Sequence, residues 1–333
     1  MKAFLISETD GVLSCGVDEI DPVAKDPSDL LVQVDYSGVN FKDALVAAAP
    51  SRVRRVATLI GGVDAAGTVA DSPNTSFPAG TRVAVHGGDL GVARDGGFAE
   101  FVYAPARFLS SLPATISTRD AMVIGTAGFT AMASVLALES NGLRKGNEVL
   151  VTGATGGVGS IAVTLLANLG YLPVASTGSS HETAWLHERG AVRVIGRGDI
   201  SDRLDRVLGS ERWAGAIDCV GGDTLNQILR SLRYGGAVAA SGLVASAELK
   251  TTVYPFITRA VSLLGIDAVE ATATTRQIVW AALGNLATRI DFTPLIDREI
   301  QMEDLPDAFE SIRNGSTRGR ILVNPTPGQT VRR

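Results

Sequence analysis

Hydrophobic and polar positions follow two different patterns along the chain. Up to about residue 120, short apolar runs separated by Gly, Pro and Asp are typical of β-strands and turns, as at 30–36, 82–85 and 98–102. Beyond that point, runs rich in β-branched residues occur at 149–151, 172–175, 192–195, 216–220 and 237–241. Helical stretches such as 182–189 and 223–232 lie between these runs. This alternation predicts a parallel sheet with right-handed crossovers.

The last 60 residues combine both patterns. Residues 275–287 and 305–312 are helix-like, and the apolar run 319–324 predicts a strand that must join a sheet. We therefore expect a β-rich domain formed by residues 1–120 and 270–333, and an α/β domain formed by residues 121–269. The Pro- and Gly-rich residues 325–333 are expected to fray.

One segment of the α/β part carries a specific chemical signal. The apolar run 149–151 leads into four glycines between residues 153 and 159, and residues 161–170 then have the apolar spacing of a helix packed on a sheet. Glycine lets the backbone approach a pyrophosphate closely, and the helix N-terminus offers N–H donors and a partial positive charge. A strand, a glycine turn and a helix in this order favour dinucleotide binding over a purely structural turn.

Composition narrows the class of protein. The chain has 333 residues, 45% of them hydrophobic and 20% charged, as in soluble globular proteins. A net charge of −5 argues against nucleic-acid binding, and the basic stretch of Arg52, Arg54 and Arg55 is expected to be solvated. The N-terminal apolar run is too short for a signal peptide, and no apolar run is expected to reach membrane-spanning length. A cytoplasmic protein without nucleic-acid or membrane partners is expected.

Cysteine and histidine positions give no metal or disulfide pattern. Cys15 and Cys219 lie far apart in sequence, which fits a reduced chain. Cys219 is interpreted as a buried small apolar residue rather than a nucleophile. His86, His181 and His187 occur in unrelated contexts and are expected at the surface.

The second predicted strand of the α/β part indicates which cofactor is used. NAD sites usually have an acidic residue about 20 positions beyond the glycines, where it binds the ribose 2′-OH. Residues 175–180, Ala-Ser-Thr-Gly-Ser-Ser, contain no carboxylate. A 2′-phosphate would meet hydroxyl and backbone N–H groups there, so NADPH is the predicted cofactor. The alternative for Ser179 and Ser180 is a helix N-cap, which is compatible with the same role.

Several motifs in a fixed order resemble one known family. They occupy residues 38–43, 60–69, 96–100, 124–131, 213–218 and 252–257, in addition to the glycine loop. Over nearly its whole length the chain resembles a zinc-free member of the medium-chain dehydrogenase/reductase superfamily, in the quinone oxidoreductase branch and most similar to the acryloyl-CoA reductase family. The resemblance implies a GroES-like substrate domain, a doubly wound Rossmann domain and an active site in the cleft between them.

The expected cofactor contacts fall into three groups. The glycine loop contributes Thr155, Gly156, Gly157, Val158 and Gly159. The resemblance places Thr177, Gly178 and Ser179 around the 2′-phosphate, with Arg197 as the charge partner, although related proteins often have a basic residue in place of Ser179. Further contacts are expected from Thr126, Leu243, Ile257 and Asn314. For Leu243 and Ile257, packing in the core is the alternative.

The resemblance also shows which positions would bind zinc in related proteins. Zinc alcohol dehydrogenases of this superfamily have a Cys in the first catalytic segment and Gly-His-Glu in the second, where this chain has Asn40 and Gly62-Val-Asp64. The four-cysteine zinc loop is also missing, since the sequence has only two cysteines. Catalytic zinc needs about three protein ligands, so no metal is expected.

Without zinc, hydride transfer suits an activated C=C, whose own carbonyl or thioester absorbs the charge. Hydride would add to the β-carbon and a proton to the α-carbon, while the protein orients the reactants and offers donors to the enolate oxygen. The segment Asn40, Phe41, Lys42 and Asp43 is predicted at this centre. The family typically has Tyr, a candidate proton donor, in place of Phe41, which leaves Lys42, Asp43 or an ordered water as proton sources. A structural ion pair is the alternative for Lys42 and Asp43.

Three functions are compatible with these features. The first is NADPH-dependent reduction of a small enoyl-CoA such as acryloyl-CoA, with Arg52, Arg54 and Arg55 near the CoA phosphates on the basis of charge alone. The second is a quinone or free enone reductase, and the third is a non-catalytic NADPH-binding protein; Phe41 favours both of these. A homodimer joined at the edges of the Rossmann sheets is expected from the resemblance.

Overall fold

The computed structural model describes residues 1–201 and 206–326. The predicted fraying of the tail concerns residues 325–333, and those beyond 326 lie outside the described residues. Contacts between Cα atoms divide the chain into two compact units. We call Met1–Thr126 together with the chain from Val269 the first unit, and Ala127–Ala268 the second unit.

The elements are numbered in chain order. The strands are β1 Lys2–Thr9, β2 Val12–Glu19, β3 Leu30–Val39, β4 Thr58–Ile60, β5 Asp64–Asp71, β6 Arg82–His86, β7 Phe101–Ala104, β8 Leu109–Ser111, β9 Glu148–Thr152, β10 Leu172–Ser176, β11 Arg193–Ile195, β12 Trp213–Asp218, β13 Leu232–Ala240, β14 Ser262–Gly265, β15 Ile296–Ile300 and β16 Arg320–Val323. The α-helices are α1 Phe41–Val46, α2 Thr118–Ser140, α3 Gly157–Leu169, α4 Thr183–Glu188, α5 Gly222–Ser231, α6 Tyr254–Arg259, α7 Ala273–Leu286 and α8 Leu305–Arg313.

The first unit is built from two β-sheets. One has the strand order β2-β1-β4, and the other has the order β15-β16-β3-β5-β6-β8, with β7 paired to β3. In β3 the side chains alternate between buried and partly exposed from Leu30 to Val34, the pattern of a strand with one face on the core. The predicted C-terminal strand does join this sheet, since β16 pairs antiparallel with β3 and Ile321 lies opposite Val39.

The predicted strand at 98–102 begins later than expected. Strand β7 starts at Phe101, because the backbone N–H groups of the preceding residues form hydrogen bonds with another segment of the chain. The Phe98 N–H donates to the Gly61 carbonyl and the Gly97 N–H to the Gly62 carbonyl. This close approach of two glycine-rich segments replaces the first part of the predicted strand.

The second unit contains a six-stranded sheet in the order β11-β10-β9-β12-β13-β14, and every neighbouring pair is parallel. The chain winds outward from β9 in one direction and then, from β12, in the other. Ligands of such doubly wound sheets bind at the carboxyl ends of the strands where this direction changes. The predicted α/β class with a parallel sheet is confirmed.

Helix α2 corrects one expectation. Its 23 residues are long and apolar enough to cross a membrane by length and composition, although no run of that kind was expected from the sequence. However, 78% of its most apolar window is buried inside the protein, as in core helices of soluble proteins. The helix is also interrupted at Gly125, whose φ of 49° and ψ of −159° are not helical.

Candidate active site

The glycine loop joins β9 to α3 in the second unit. Gly153 has a φ of +58°, and a Cβ on Gly159 would lie only 2.3 Å from the Gly153 carbonyl oxygen. Glycine is therefore required at position 159 for the helix to start this close to the strand. The N-cap residue of α3 is Gly156, which has no side chain. The first N–H groups of the helix are therefore not capped by the N-cap residue. This arrangement suits a bound pyrophosphate.

A buried carboxylate, that of Asp218, forms hydrogen bonds at the end of the strand that leads into the glycine loop. Asp218, the last residue of β12, accepts hydrogen bonds from the Thr152 hydroxyl at 2.6 Å and the Gly221 N–H at 2.8 Å. Burial raises the pKa of Asp218, and these hydrogen bonds act in the opposite direction. No role was predicted for Asp218 from the sequence. It fixes the carboxyl ends of β9 and β12 relative to each other.

Cys219 lies against the same loop, with its Cβ 3.5 Å from the position that a Gly153 side chain would take. Burial, followed by the charge of Asp218, raises the pKa of the Cys219 thiol to about 12. The residue is only half-buried by exposed area. Because so high a pKa leaves almost no thiolate at neutral pH, the structure supports the interpretation of Cys219 as a small apolar residue and not a nucleophile.

The predicted 2′-phosphate residues come together at the end of β10. The Arg197 guanidinium lies over Gly178, where a Cβ would be 2.6 Å from the Arg197 Cζ. The Thr177 hydroxyl accepts the Ser179 N–H at 3.0 Å, and Ser179 itself makes no side-chain cap hydrogen bond. Ser179 thus occupies the N-cap position of the 3-10 turn Ser180–Glu182, as the alternative interpretation expected, but its hydroxyl does not cap the turn. Arg197 is exposed, so its charge is accessible from solvent.

Two other predicted cofactor residues lie at the surface of the second unit. Leu243 is 61% exposed and Ile257 is 72% exposed. Packing in the core, the alternative interpretation, is wrong for both. Large apolar side chains exposed to this extent are available to a ligand or partner.

The Asn40–Asp43 segment of the first unit forms the start of α1. Asp43 is 1% exposed and accepts hydrogen bonds from the Asn40 N–H at 2.8 Å and the Val63 N–H at 2.9 Å. Burial and the neighbouring Asp64 carboxylate raise the pKa of Asp43 to about 7. The alternative of an ion pair with Lys42 is wrong, because backbone N–H groups hold this carboxylate. Phe41 and Lys42 remain partly exposed.

The side-chain amide of Asn40 is held at both ends. Its Nδ2 donates to Asp64 Oδ2 at 3.0 Å and to the Gly38 carbonyl at 3.2 Å, and its Oδ1 accepts from Arg320 Nη1 at 3.1 Å. Both amide hydrogens are thus engaged within the protein. This makes Asn40 a poor donor to a substrate oxygen, although it was predicted at the reaction centre.

Asp64 and Arg320 are the residues that sequence reasoning missed. Asp64 is fully buried and also accepts the Thr126 N–H at 2.8 Å, which brings this predicted cofactor contact next to Asn40. Arg320 is 2% exposed and burial lowers its pKa, an effect that Asp64 and Asp43 oppose. A signal was available, since each is a charged residue within an apolar run, for Arg320 the run 319–324 predicted to be a strand and for Asp64 the motif at 60–69.

Asn314 lies apart from this network within the first unit. It is exposed at the C-terminal end of α8, the helix that packs on α1. The preceding residue, Arg313, donates to the Ala44 carbonyl of α1 at 3.3 Å.

Two surface expectations are also wrong. The Arg54 side chain is 4% exposed, pairs with Glu8 and donates to the Val46 carbonyl at 2.8 Å, so it is structural and not solvated. His86 is fully buried, where it contacts Arg276 at 3.0 Å. Among residues 1–201 and 206–326, no group of three or more His, Cys, Asp or Glu side chains is placed to hold a metal ion.

Comparison with known proteins assigns both units. Residues 26–114 match the family model described as alcohol dehydrogenase GroES-like domain, and residues 157–285 match the model described as zinc-binding dehydrogenase. The chain belongs to the medium-chain dehydrogenase/reductase family of oxidoreductases. The predicted family and the GroES-like and Rossmann fold class are confirmed.

Two curated relatives in this family have different names. The chain is 45% identical to the putative quinone oxidoreductase YhfP of Bacillus subtilis over 88% of its own length and 89% of the relative's. It is 38% identical to the acrylyl-CoA reductase AcuI of Ruegeria pomeroyi over 95% of its own length and 96% of the relative's.

Solved structures agree closely with this fold. The yhdH oxidoreductase of Salmonella enterica in complex with NADP matches with a TM-score of 0.91 and 39% identity, covering 97% of this chain and 99% of that one. The yhfP protein of B. subtilis with NAD bound matches with a TM-score of 0.93 and 42% identity, covering 97% and 98%. The cofactor bound in the first of these two structures has a 2′-phosphate, and the cofactor bound in the second does not.

Proposed function

We propose that the protein reduces the activated C=C of a small enoyl-CoA with NADPH. The observation that carries the cofactor choice is the Arg197 guanidinium over the backbone of Gly178, the residue between Thr177 and Ser179. A guanidinium forms strong, charge-assisted hydrogen bonds with a phosphate. The relative bound to NAD leaves NADH as the outcome that would contradict this choice.

Several residues would hold the cofactor. Thr155, Gly156, Gly157, Val158 and Gly159 would bind the pyrophosphate at the start of α3, with the second unit's exposed Leu243 and Ile257 as apolar contacts. Bound NADPH would supply the hydride. Thr126 and Asn314 remain proposed contacts from the first unit.

The first unit would supply the acceptor side of the reaction. Lys42 is partly exposed at the start of α1, where its ammonium can stabilise negative charge on the substrate oxygen or deliver a proton. Phe41 would form an apolar wall. Asp43 and Asn40 are engaged by the protein itself and would shape the segment and not contact the substrate.

We further propose that the reaction needs no zinc. Where zinc members of the family have a Cys and Gly-His-Glu, this chain has Asn40 and Gly62-Val-Asp64, so Val63 replaces the histidine, and both oxygens of Asp64 already accept N–H groups. The Asn40 oxygen accepts from Arg320. A metal would have to displace these hydrogen bonds and would bring its charge next to the Arg320 guanidinium.

A substrate panel tests the proposal. NADPH and NADH oxidation is followed with acryloyl-CoA, a benzoquinone and a simple enone under the same conditions. The proposal expects the highest kcat/KM with NADPH and acryloyl-CoA. Turnover of the quinone or enone alone would establish the second candidate, which the name of YhfP and the presence of Phe41 favour. No turnover with any acceptor would indicate a binding protein.

We also propose a cytoplasmic homodimer. In the described part of the second unit, β14 pairs with β13 alone and forms the edge of the sheet, with Leu263 39% exposed. An open strand edge can pair with a second copy. Light scattering coupled to size exclusion should show a dimer that Leu263→Lys weakens. The matched control is Leu172→Lys in β10, where the side chain is 40% exposed, and equal behaviour of the two variants would contradict this interface.

A further inference from the structure

Asp64 and Arg320 form an oppositely charged pair inside the first unit. Asp64 is fully buried and Arg320 is 2% exposed, and their closest atoms, Asp64 Oδ2 and Arg320 Nη2, are 3.9 Å apart. Taking two charges out of water is costly, and the cost is offset only when further hydrogen bonds satisfy both groups. The direct contact is too long to do this alone. The hydrogen bonds that each charge makes elsewhere therefore decide what the pair does.

Asp64 connects two segments through one oxygen. Its Oδ2 accepts both the Asn40 side-chain amide at 3.0 Å and the Thr126 N–H at 2.8 Å, while its Oδ1 accepts the Gly38 N–H at 3.2 Å. Asn40 precedes Phe41 and Lys42, the proposed acceptor-side residues. A single carboxylate oxygen thus sets the distance between this segment and Thr126.

Arg320 fixes the same two segments from the opposite side. It donates to Asn40 Oδ1 at 3.1 Å and Val39 O at 3.2 Å next to α1, and to Val123 O at 3.0 Å in α2. Its Nη2 donates to the Met122 carbonyl at 3.4 Å, so all three guanidinium nitrogens are engaged, which a lysine ammonium could not reproduce. The pair therefore holds the end of β3 and the first part of α2 in one arrangement.

The backbone around the pair is shaped to admit it. A Cβ on Gly125 would lie 2.7 Å from Asp64 Oδ2 and 2.8 Å from Arg320 Nη2, and a Cβ on Gly38 would lie 2.6 Å from Arg320 Nη2. Gly125 also has the positive φ that interrupts α2. This break directs the next N–H, that of Thr126, to Asp64 instead of to a helical carbonyl. The helical conformation of α2 is therefore interrupted at the residue where the helix contacts Asp64 and Arg320.

We propose that Asp64 and Arg320 are positioning residues of the reductase site. They fix the segment that presents Phe41 and Lys42 relative to Thr126, without contacting substrate or cofactor themselves. The inference rests on the proposed function, since it assigns these segments to hydride transfer. Buried ion pairs can often be replaced by apolar residues of similar volume without loss of stability, so a stabilising role is a weak explanation for two buried charges here.

The test compares Asp64→Asn and Arg320→Lys with matched buried controls in the same unit. Asp29→Asn removes a carboxylate that is 5% exposed and ion-paired with Arg94, and Arg276→Lys alters a guanidinium that is 3% exposed and bonded to the Val269 and Ala271 carbonyls. With the preferred acceptor, we expect kcat to fall at least tenfold in the two site variants, while KM for NADPH changes less than threefold. The controls should keep kcat within twofold of the wild type at a similar loss of Tm.

Equal loss of kcat in site and control variants would overturn the proposal, as would site variants with wild-type kcat. If a single variant fails to fold, the double variant Asp64→Asn with Arg320→Gln removes both charges of the pair together and is expected to fold with the same low kcat. If the wild type turns over no acceptor, the proposed function fails by itself. The positioning role is then judged from the fluorescence of saturating NADPH, which Asp64→Asn must change and Asp29→Asn must not.

Discussion

The Arg197 guanidinium covers the backbone of Gly178 so closely that a Cβ at this glycine would lie 2.6 Å from the Arg197 Cζ. Arg197 is 19 positions further along the chain, on the turn that follows β11. In the proposed site, the positive charge for a 2′-phosphate would therefore come from the loop after the neighbouring strand β11. A basic residue in the Thr177–Ser179 segment itself is not required for this.

Arg197→Ala should separate the two nicotinamide cofactors. We expect KM for NADPH to rise about tenfold, which corresponds to about 1.4 kcal/mol, and KM for NADH to change less than twofold. Steady-state kinetics with both cofactors measure this. Arg193→Ala, at an exposed arginine paired with Glu148, is the control and should leave the ratio unchanged. The assignment of Arg197 is wrong if both KM values rise together.

Gly159→Ala should disrupt the cofactor loop. The new methyl group would lie 2.3 Å from the Gly153 carbonyl oxygen, and two backbone segments cannot both move without opening the start of α3. Overpacking of this kind costs about 1–3 kcal/mol, so Tm should fall and NADPH binding should be lost. Gly16→Ala, where no atom lies within 4 Å of the added Cβ, should change neither. NADPH binding at wild-type affinity in Gly159→Ala would contradict this account of the loop.

Asp43 should make the stability of the first unit depend on pH. Its pKa is raised from 3.8 to about 7 in the folded protein, chiefly by burial and then by Asp64, with Arg320 opposing the change. The folded state therefore binds more protons than the unfolded state between these values, and the free energy of unfolding falls as pH rises from about 4 to 7. A tenfold difference in proton affinity between the two states corresponds to about 1.4 kcal/mol.

Urea unfolding of the wild type and Asp43→Asn between pH 4 and 8 isolates this contribution. The stability of the wild type relative to the variant should be greatest near pH 4 and decline towards pH 7. A difference between the two proteins that stays constant over this range would show that Asp43 ionises normally.

Phe41→Tyr should raise turnover of an enoyl-CoA. The added hydroxyl restores the proton donor that the resemblance places here, and general acid catalysis contributes about 10²–10⁴-fold where a donor was absent. We expect a gain of at least about tenfold in kcat with acryloyl-CoA and no change in KM for NADPH. Phe101→Tyr in β7, also at a partly exposed phenylalanine, is the control. A gain with the quinone only would favour the second candidate function.

Chelators should leave activity intact. Prolonged dialysis against EDTA and 1,10-phenanthroline is expected to change kcat less than twofold, because the protein's own N–H groups occupy the oxygens of Asp64. Activity lost on dialysis and restored by Zn²⁺ would overturn the zinc-independent reaction.

The sequence was sufficient where function depends on a local pattern. The β9–glycine–α3 segment combines a buried strand, a turn that only glycine permits and an apolar helix, and all three are legible within about 20 residues. The strand β16 was predicted for a similar reason. From the sequence it was clear that β16 must join a sheet, but not which strand it would pair with.

The buried charges were not predictable in the same way. Asp64 and Arg320 each stand out as a charged residue in an apolar run, yet nothing local says that they meet each other and Asn40. Arg54 shows the converse, since a run of arginines suggested a solvated surface although one of the three is buried against Glu8. Pairing between distant residues depends on strand order, and strand order is set by the whole sheet.

The placement of Arg320 on β16 has a consequence for how the protein is made. The second unit is continuous in sequence from Ala127 to Ala268, so all of its residues are synthesised before the first unit is complete. The first unit is interrupted by it, and Arg320 reaches a carbonyl 281 positions earlier in the chain. Until residue 320 is synthesised, Asp43 and Asp64 have no guanidinium of Arg320 beside them. A chain released before that point would contain every residue of the second unit but would lack the strand that brings Arg320 beside Asp64.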